Sequence, residues 1–314
     1  MFLDTPVAFF IFNRPELTKV VFEAIAQAKP KKLLVVADGP RVPEEVEKCQ
    51  KTREIIDRVD WDCQILTNYS EVNLGCKRRV SSGLDWVFSE VEEAIILEDD
   101  CLPAPSFFYF CQTLLDHYRN DRRIMMISGD SFLANPSQND YSYSFTKYIH
   151  IWGWATWRRA WKHYDVNIKT WPEYKKLDIL SSLWESPSEQ KYWTDIFDRL
   201  FEGTIDTWDY QWAYACWSQS GISIIPNANL VSNLGFGPEA THTLMESPWA
   251  NLPTANIWNI EHPPFVVRDR NIEQFVFENV IGGKPIEEEQ SLLANIFPYI
   301  SRIKNNLKLA LKFY

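Results

Sequence analysis

Ala94-Ile95-Ile96-Leu97-Glu98-Asp99-Asp100 is the stretch on which the fold turns: four apolar residues run without a break into three carboxylates. A short continuous apolar run bounded by polar residues fits a strand buried on both faces, as strands of parallel sheets are. Three adjacent carboxylates at the end of such a strand repel one another and are costly against a core unless a cation or a donor offsets them. A hard divalent ion, Mn2+ or Mg2+, held by one carboxylate and two phosphate oxygens is one arrangement that does this. A solvated acidic turn is the other.

Upstream, the same alternation of apolar run and polar cluster repeats. Residues 6–12 form a first strand, followed by Asn13-Arg14-Pro15-Glu16. Leu17, Val20, Val21, Ala24, Ile25 and Ala28 then recur at helical spacing. Residues 32–37 make a second strand that stops at Asp38-Gly39-Pro40, a polar helix over about 43–59 follows, and a third strand is expected at 64–67. After Asn73-Leu74-Gly75, the positions Val80, Leu84, Val87 and Phe88 mark another helix. Downstream of the acid cluster come Pro103 and Pro105, a helix over 106–118, a strand over 124–127 and Ser128-Gly129-Asp130. This order predicts an α/β protein with a mostly parallel, doubly wound sheet and ligands at the carboxyl ends of the strands.

The second half is less regular and more aromatic. Residues 135–146 read as a polar loop leading into Tyr148-Ile149-His150-Ile151-Trp152-Gly153-Trp154-Ala155-Thr156-Trp157. Part of that run belongs to the core, and Trp152 or Trp154 is also a candidate platform for a sugar ring. Trp208, Trp212, Ala215 and Cys216 share one face of a helix that Thr207 or Asp206 would cap. A strand is expected at 222–225 and a loop at Leu234-Gly235-Phe236-Gly237. Residues 296–314 form a basic amphipathic candidate helix carrying Arg302, Lys304, Lys308 and Lys312. Docking on a membrane surface is one use for it, and a packed or frayed tail is the other.

Bulk composition narrows the function classes. With 46% hydrophobic and 24% charged residues the chain has the make-up of a folded globular protein. A formal net charge of −10 lacks the basic footprint of a nucleic-acid binder, so a phosphate ligand would need local cations. The six cysteines have no metal-type spacing; reduced thiols in a cytoplasmic setting are expected, although an even count also permits disulfides. The opening residues carry no basic segment, and no run approaches the roughly 20 apolar residues of a spanning helix.

The order of strand, Asn-Arg-Pro-Glu, helix, strand, Ala-Asp-Gly, then Asn-Leu-Gly, helix, strand and Glu-Asp-Asp resembles the GT-A glycosyltransferases. It is most similar to the inverting N-acetylglucosaminyltransferase I type, over roughly residues 5–245. The specific parts are Glu98-Asp99-Asp100, as a variant of the Asp-x-Asp motif, and Trp208-Asp209-Tyr210-Gln211-Trp212. The resemblance implies a nucleotide-sugar-binding half over 1–130, an acceptor-binding half of the same domain over 131–295, and the C-terminal helix or tail over 296–314.

The resemblance further implies that Phe12, Asn13 and Arg14 line the nucleotide and that Asp38 meets the base, expected to be uracil. One of Lys77, Arg78 and Arg79 would contact base or diphosphate. Asp99 would approach ribose or sugar hydroxyls, Asp100 would hold Mn2+ or Mg2+, and Glu98 would support them. Asp209 would be the general base, with Asp206 as the fallback, and His242 would touch diphosphate or metal. Each also has a plain reading: turn chemistry for Asn13 and Asp38, a helix N-terminal carboxylate for Asp209, an exposed loop for His242. The expected activity is inverting transfer from a UDP-linked donor to a hydroxyl of a glycan or lipid-linked acceptor. A sugar-nucleotide nucleotidyltransferase is the alternative enzyme, disfavoured by the lack of glycine in the turn after the first strand. A non-catalytic carbohydrate-binding protein of the same fold is the third reading.

Overall fold

The structure, a computed structural model, describes residues 3–133, 141–177, 179–236 and 248–282. His242 and the candidate helix at 296–314 lie outside the described residues. The elements in chain order are β1 (Val7–Ile11), α1 (Pro15–Ala28), β2 (Lys32–Ala37), α2 (Val46–Glu54), β3 (Gln64–Tyr69), α3 (Gly75–Glu90) and β4 (Glu93–Glu98). They continue with β5 (Cys101–Pro103), α4 (Pro105–His117), β6 (Ile124–Ser128), β7 (Tyr143–Thr146) and β8 (Trp154–Trp157). The remainder are α5 (Arg158–Trp161), α6 (Trp171–Lys176), α7 (Pro187–Phe201), α8 (Asp209–Ser218), β9 (Ile222–Pro226), β10 (Val231–Asn233) and α9 (Arg270–Phe275).

Eight strands form one sheet in the order β3-β2-β1-β4-β8-β6-β9-β7. The run β3-β2-β1-β4 is parallel throughout, as the sequence led one to expect. Side chains alternate across it with period two. Ala8 and Phe10 of β1 belong to the core on the side of α3, α7 and α8, whereas Val7, Phe9 and Ile11 belong to the core on the side of α1 and α4. Helices therefore cover both faces, which makes the sheet doubly wound.

Beyond β4 the pattern changes. Trp154–Trp157 enters antiparallel between β4 and β6, so β6 does not follow β4 directly. Trp154 and Trp157 are core residues of that strand, at 1% and 2% exposure. The expected polar loop is corrected at its end: Tyr143–Thr146 is a buried strand, β7, antiparallel to β9. Helix α7 was not anticipated, and neither was the short ribbon in which β10 pairs antiparallel with β5. The cap of α8 also differs, since Trp208 is the N-cap residue and no side chain caps it. All six cysteines are free; Cys63 and Cys76 are half-buried and the other four buried.

Candidate active site

Registry brings the site together. Ile11 lies level with Ala37, and Phe10 with Glu98, so β1, β2 and β4 end side by side. Phe12, Asp38 and Asp99 are the first residues beyond those ends, at one rim of a cavity of about 480 Å³. Trp208 and Asp209, at the start of α8, line the same cavity, as do Trp152 and Asp206. A volume in this range suits a sugar nucleotide or a similar ligand.

The acid cluster is not a solvated turn. Asp99 is buried and accepts from the Phe12 amide at 3.1 Å. Arg14, at the N-cap of α1, reaches back to it and spans two carboxylates: Nη2 donates to Asp99 Oδ1, and Nη1 lies 2.9 Å from Asp100 Oδ2. Burial works against the Arg14 charge, but Asp99 and Asp100 hold its pKa above the usual range. Burial, with Asp100 and Asp99 adding repulsion, pushes the Glu98 carboxyl up to about 8. Burial also lifts Asp99, to about 6, while Arg14 pulls it back. Asp209 contributes to the rise at Glu98, so the two walls of the cavity sense each other.

The β10–β5 ribbon places a second segment over Asp100. Asn233 is level with Cys101, and the Leu234 amide donates to the Asp100 carbonyl at 2.8 Å. Gly235 follows, its amide held by Asn233 Oδ1 at 2.8 Å. A Cβ at Gly235 would overlap Asp100 Oδ2 and come within 3.1 Å of Asn233 Oδ1. Asp100 and Asn233 thus bring hard oxygen donors near each other beside Gly235 on the cavity wall, a donor set that suits Mg2+ or Mn2+ only if ligand oxygens complete it. The described residues contain no group of three or more His, Cys, Asp or Glu side chains placed to hold an ion by themselves.

Several expected contacts have other work in this geometry. Asp38 lines the cavity, but its carboxylate accepts from Asn73 Nδ2, from the Leu74 amide at 2.9 Å and from the Gly75 amide at 3.1 Å. It pins the turn that starts α3, where Gly75 has φ of 76°, a conformation that favours glycine. Asn13 is absent from the cavity wall; its Nδ2 donates to Glu45 at 2.9 Å. Of the three basic residues after Gly75, Lys77 and Arg78 are not on the wall and Arg79 is, donating to Asn68. Among the wall residues that escaped the sequence reading are Arg41, Cys76 and Asn233. Arg41 lies over the Phe12 ring, 5.2 Å from its centroid, and is held by Glu45. Cys76 feels Glu98, Asp209, Asp206 and Asp100 together, which with burial keep its thiol protonated.

No protein-family model matches the sequence, and no curated protein does. Among solved structures the chain is similar to a UDP-glucose pyrophosphorylase complexed with UDP-glucose, at 12% identity and a TM-score of 0.27, covering 46% of this chain and 62% of that one. It thus spans less than two thirds of that enzyme's length. It is also similar to a 4-diphosphocytidyl-2C-methyl-D-erythritol synthase from Anaerococcus prevotii, at 10% identity and a TM-score of 0.31, covering 64% and 84%. Both neighbours are nucleotidyltransferases, and likenesses this faint carry no weight for the activity of this chain. No helix among the described residues is long and apolar enough to cross a membrane.

Proposed function

We propose that this protein is a metal-dependent, inverting glycosyltransferase of the GT-A kind, using a nucleotide-diphosphate sugar, UDP-linked by preference. The observation that carries the reading is one cavity lined by an acid cluster around buried Asp99, with its arginine, and by Asp209. Phe12 and Arg41 would flank the nucleotide, and the turn pinned by Asp38 would frame the base. Asp100 would hold Mn2+ or Mg2+, with Asn233 beside it; a bound ion would offset charge on the leaving diphosphate.

Asp209 is the base in this scheme. Its Oδ1 is fixed by the Thr207 hydroxyl and by the Tyr210 amide at 2.9 Å, which sets its orientation at the cavity wall. It would take the proton of the acceptor hydroxyl as that oxygen attacks the anomeric carbon and the bond to the diphosphate breaks. Trp152 and Trp208, on the same wall, would floor the acceptor. A glycan or lipid-linked hydroxyl is the acceptor class. Membrane contact through residues 296–314 and a diphosphate contact from His242 remain parts of the proposal that concern residues outside those described.

The test is a panel of UDP-, GDP- and TDP-sugars screened for metal-dependent binding and hydrolysis, run beside UTP or CTP with sugar 1-phosphates. Metal-dependent UDP-sugar hydrolysis without pyrophosphate release supports the reading. Pyrophosphate release would turn it to a nucleotidyltransferase, and metal-independent sugar binding alone to a carbohydrate-binding protein.

A further inference from the structure

Arg14 stands where the two ligands of the site would meet. Its guanidinium bridges Asp99 and Asp100, the side chain is 15% exposed, and Nε is buried without a partner. The backbone at Arg14 is set, because Pro15 follows it as the first residue of α1 and fixes the entry to the helix. Any change at this position is therefore a side-chain movement. The two arms of the fork are not equivalent. Asp99 is the more buried carboxylate and is also tied to the Phe12 amide, whereas Asp100 faces the cavity and lies 3.5 Å from Cys101 Sγ through Oδ1.

A divalent cation arriving at Asp100 must compete with Arg14 Nη1 for the carboxylate. A diphosphate arriving at Arg14 must compete with the same carboxylate for the guanidinium. Each ligand therefore removes the partner that opposes the other, and their binding is positively coupled. We propose that Arg14 is a latch on the metal site: it pivots on Asp99, holds Asp100 closed to cations in the free protein, and hands that carboxylate over when a nucleoside diphosphate takes the guanidinium arm. This rests on the metal-dependent nucleotide site proposed above and adds the order in which that site fills.

The test is Mn2+ titration, read as free Mn2+ by electron paramagnetic resonance, of the wild type, Arg14→Gln and Arg14→Lys, each with and without UDP. Thermal unfolding of each variant checks that the fold is retained. In the wild type, Mn2+ alone binds weakly and UDP tightens it by about tenfold or more, the scale of ordinary site-to-site coupling. In Arg14→Gln, Mn2+ alone binds about tenfold more tightly than in the wild type, and UDP adds less. Arg14→Lys separates a latch from a simple field effect. It keeps the positive charge but cannot fork across two carboxylates, so the latch predicts tighter binding of Mn2+ alone here too, whereas a field effect predicts wild-type behaviour.

Arg14→Gln no tighter for Mn2+ than wild type, or Arg14→Lys indistinguishable from wild type, overturns the latch and leaves the metal-nucleotide site standing. Should Arg14→Gln not fold, the Arg14→Lys comparison decides alone. Wild type that binds neither Mn2+ nor UDP overturns the latch and the proposed function together.

Discussion

Replacing Gly235 with alanine tests whether Asp100 is held where the proposed site needs it. The backbone there is not in the left-handed region, so alanine meets no conformational barrier. Taken alone, the exchange would stabilise the protein by about 0.4–1 kcal/mol through the unfolded chain. The contact works the other way. The added methyl would overlap Asp100 Oδ2 and lie 2.7 Å from its Cγ, so either the carboxylate turns away or the 234–236 segment lifts. Overpacking of this kind costs roughly 1–3 kcal/mol. The Leu234 amide bond to Asp100 and the Gly235 amide bond to Asn233 both resist the lift. Net destabilisation should therefore be small, on the order of 1 kcal/mol, while the geometry at Asp100 is lost. Displacing groups that orient a metal ligand typically lowers metal affinity by about 10–100-fold. Calorimetry of UDP with Mn2+ should show that loss, and urea unfolding should show nearly wild-type stability. Unchanged affinity in a folded Gly235→Ala protein would refute the placement of the cation at Asp100 beneath this turn.

Three further outcomes follow from other parts of the molecule. Asp209→Asn should lower donor hydrolysis by about 10²–10⁴-fold, the usual contribution of a positioned base, with UDP affinity in Mn2+ unchanged; hydrolysis near the wild-type rate would remove Asp209 from the chemistry. Lys147 is 1% exposed and lies 2.9 Å from Glu189 and 3.8 Å from Glu273, joining β7 to α7 and α9. Lys147→Met should cost about 3–5 kcal/mol in urea unfolding, since it leaves buried Glu189 without its cation while Glu273 keeps Arg268, and a loss below about 1 kcal/mol would contradict that role. Burial holds the Asp130 carboxyl well above its ordinary pKa, and it faces His150 Nδ1 at 3.9 Å, whose own pKa burial depresses to about 4. With Asp130 the native state keeps a proton that the unfolded chain has released, so this group lowers stability as pH rises above the unfolded carboxylate range. His150 acts on the acid side, where the unfolded chain takes up a proton that the native state refuses. Asp130→Asn should therefore gain stability over the wild type by a margin that widens from pH 5 to pH 8, and a margin independent of pH would show that Asp130 is ionised in the fold.

The first half of the chain was legible because β1, β2 and β4 are buried on both faces and its helices on one. Runs such as residues 32–37 and helical spacings such as Val80, Leu84 and Val87 then write burial directly into sequence. The second half obeys a different rule. Trp154–Trp157 is four residues long and sits antiparallel between two strands that are distant in sequence, so its pairing is set by tertiary contacts rather than by any local period. Helix α7 did carry a signal that went unread: Ser186-Pro187-Ser188-Glu189 places a capping serine, a proline at the first helical position and a glutamate three residues after the cap. Ser186 indeed accepts from the Glu189 amide. At the site, the motif residues Glu98, Asp99, Asp100 and Asp209 were visible as clusters. Arg41 was not, because what brings it to the cavity is its contact with the Phe12 ring, which has no fixed spacing; its i,i+4 pairing with Glu45 says nothing of a cavity.

Under the proposed function, the cations of the cavity would let an acidic protein receive a diphosphate without a positive patch. Arg14, Arg41 and Arg79 all line the wall, and each is already held by acceptors of the protein: Asp99 and Asp100, Glu45, and Asn68. Arranged in this way they are oriented before any ligand arrives, so little side-chain entropy is lost when it does. The cost is that a ligand must win each guanidinium from an existing partner. Arg41, with its side chain 48% exposed against 15% for Arg14, is the more open to solvent, so it is the easier to recruit. That makes Asn13 influential at one remove: its amide donates to the same Glu45 oxygen that Arg41 uses. Loss of Asn13 should tighten the Glu45–Arg41 pair and weaken nucleotide binding, although Asn13 is not on the cavity wall. Arg14 is the deeper case, 15% exposed and held by Asp99 and Asp100, and under the latch it leaves Asp100 only when the diphosphate takes its guanidinium. Under the proposed function the two arginines would divide recognition between an exposed contact that forms on encounter and a deeper one whose formation frees Asp100 for the cation.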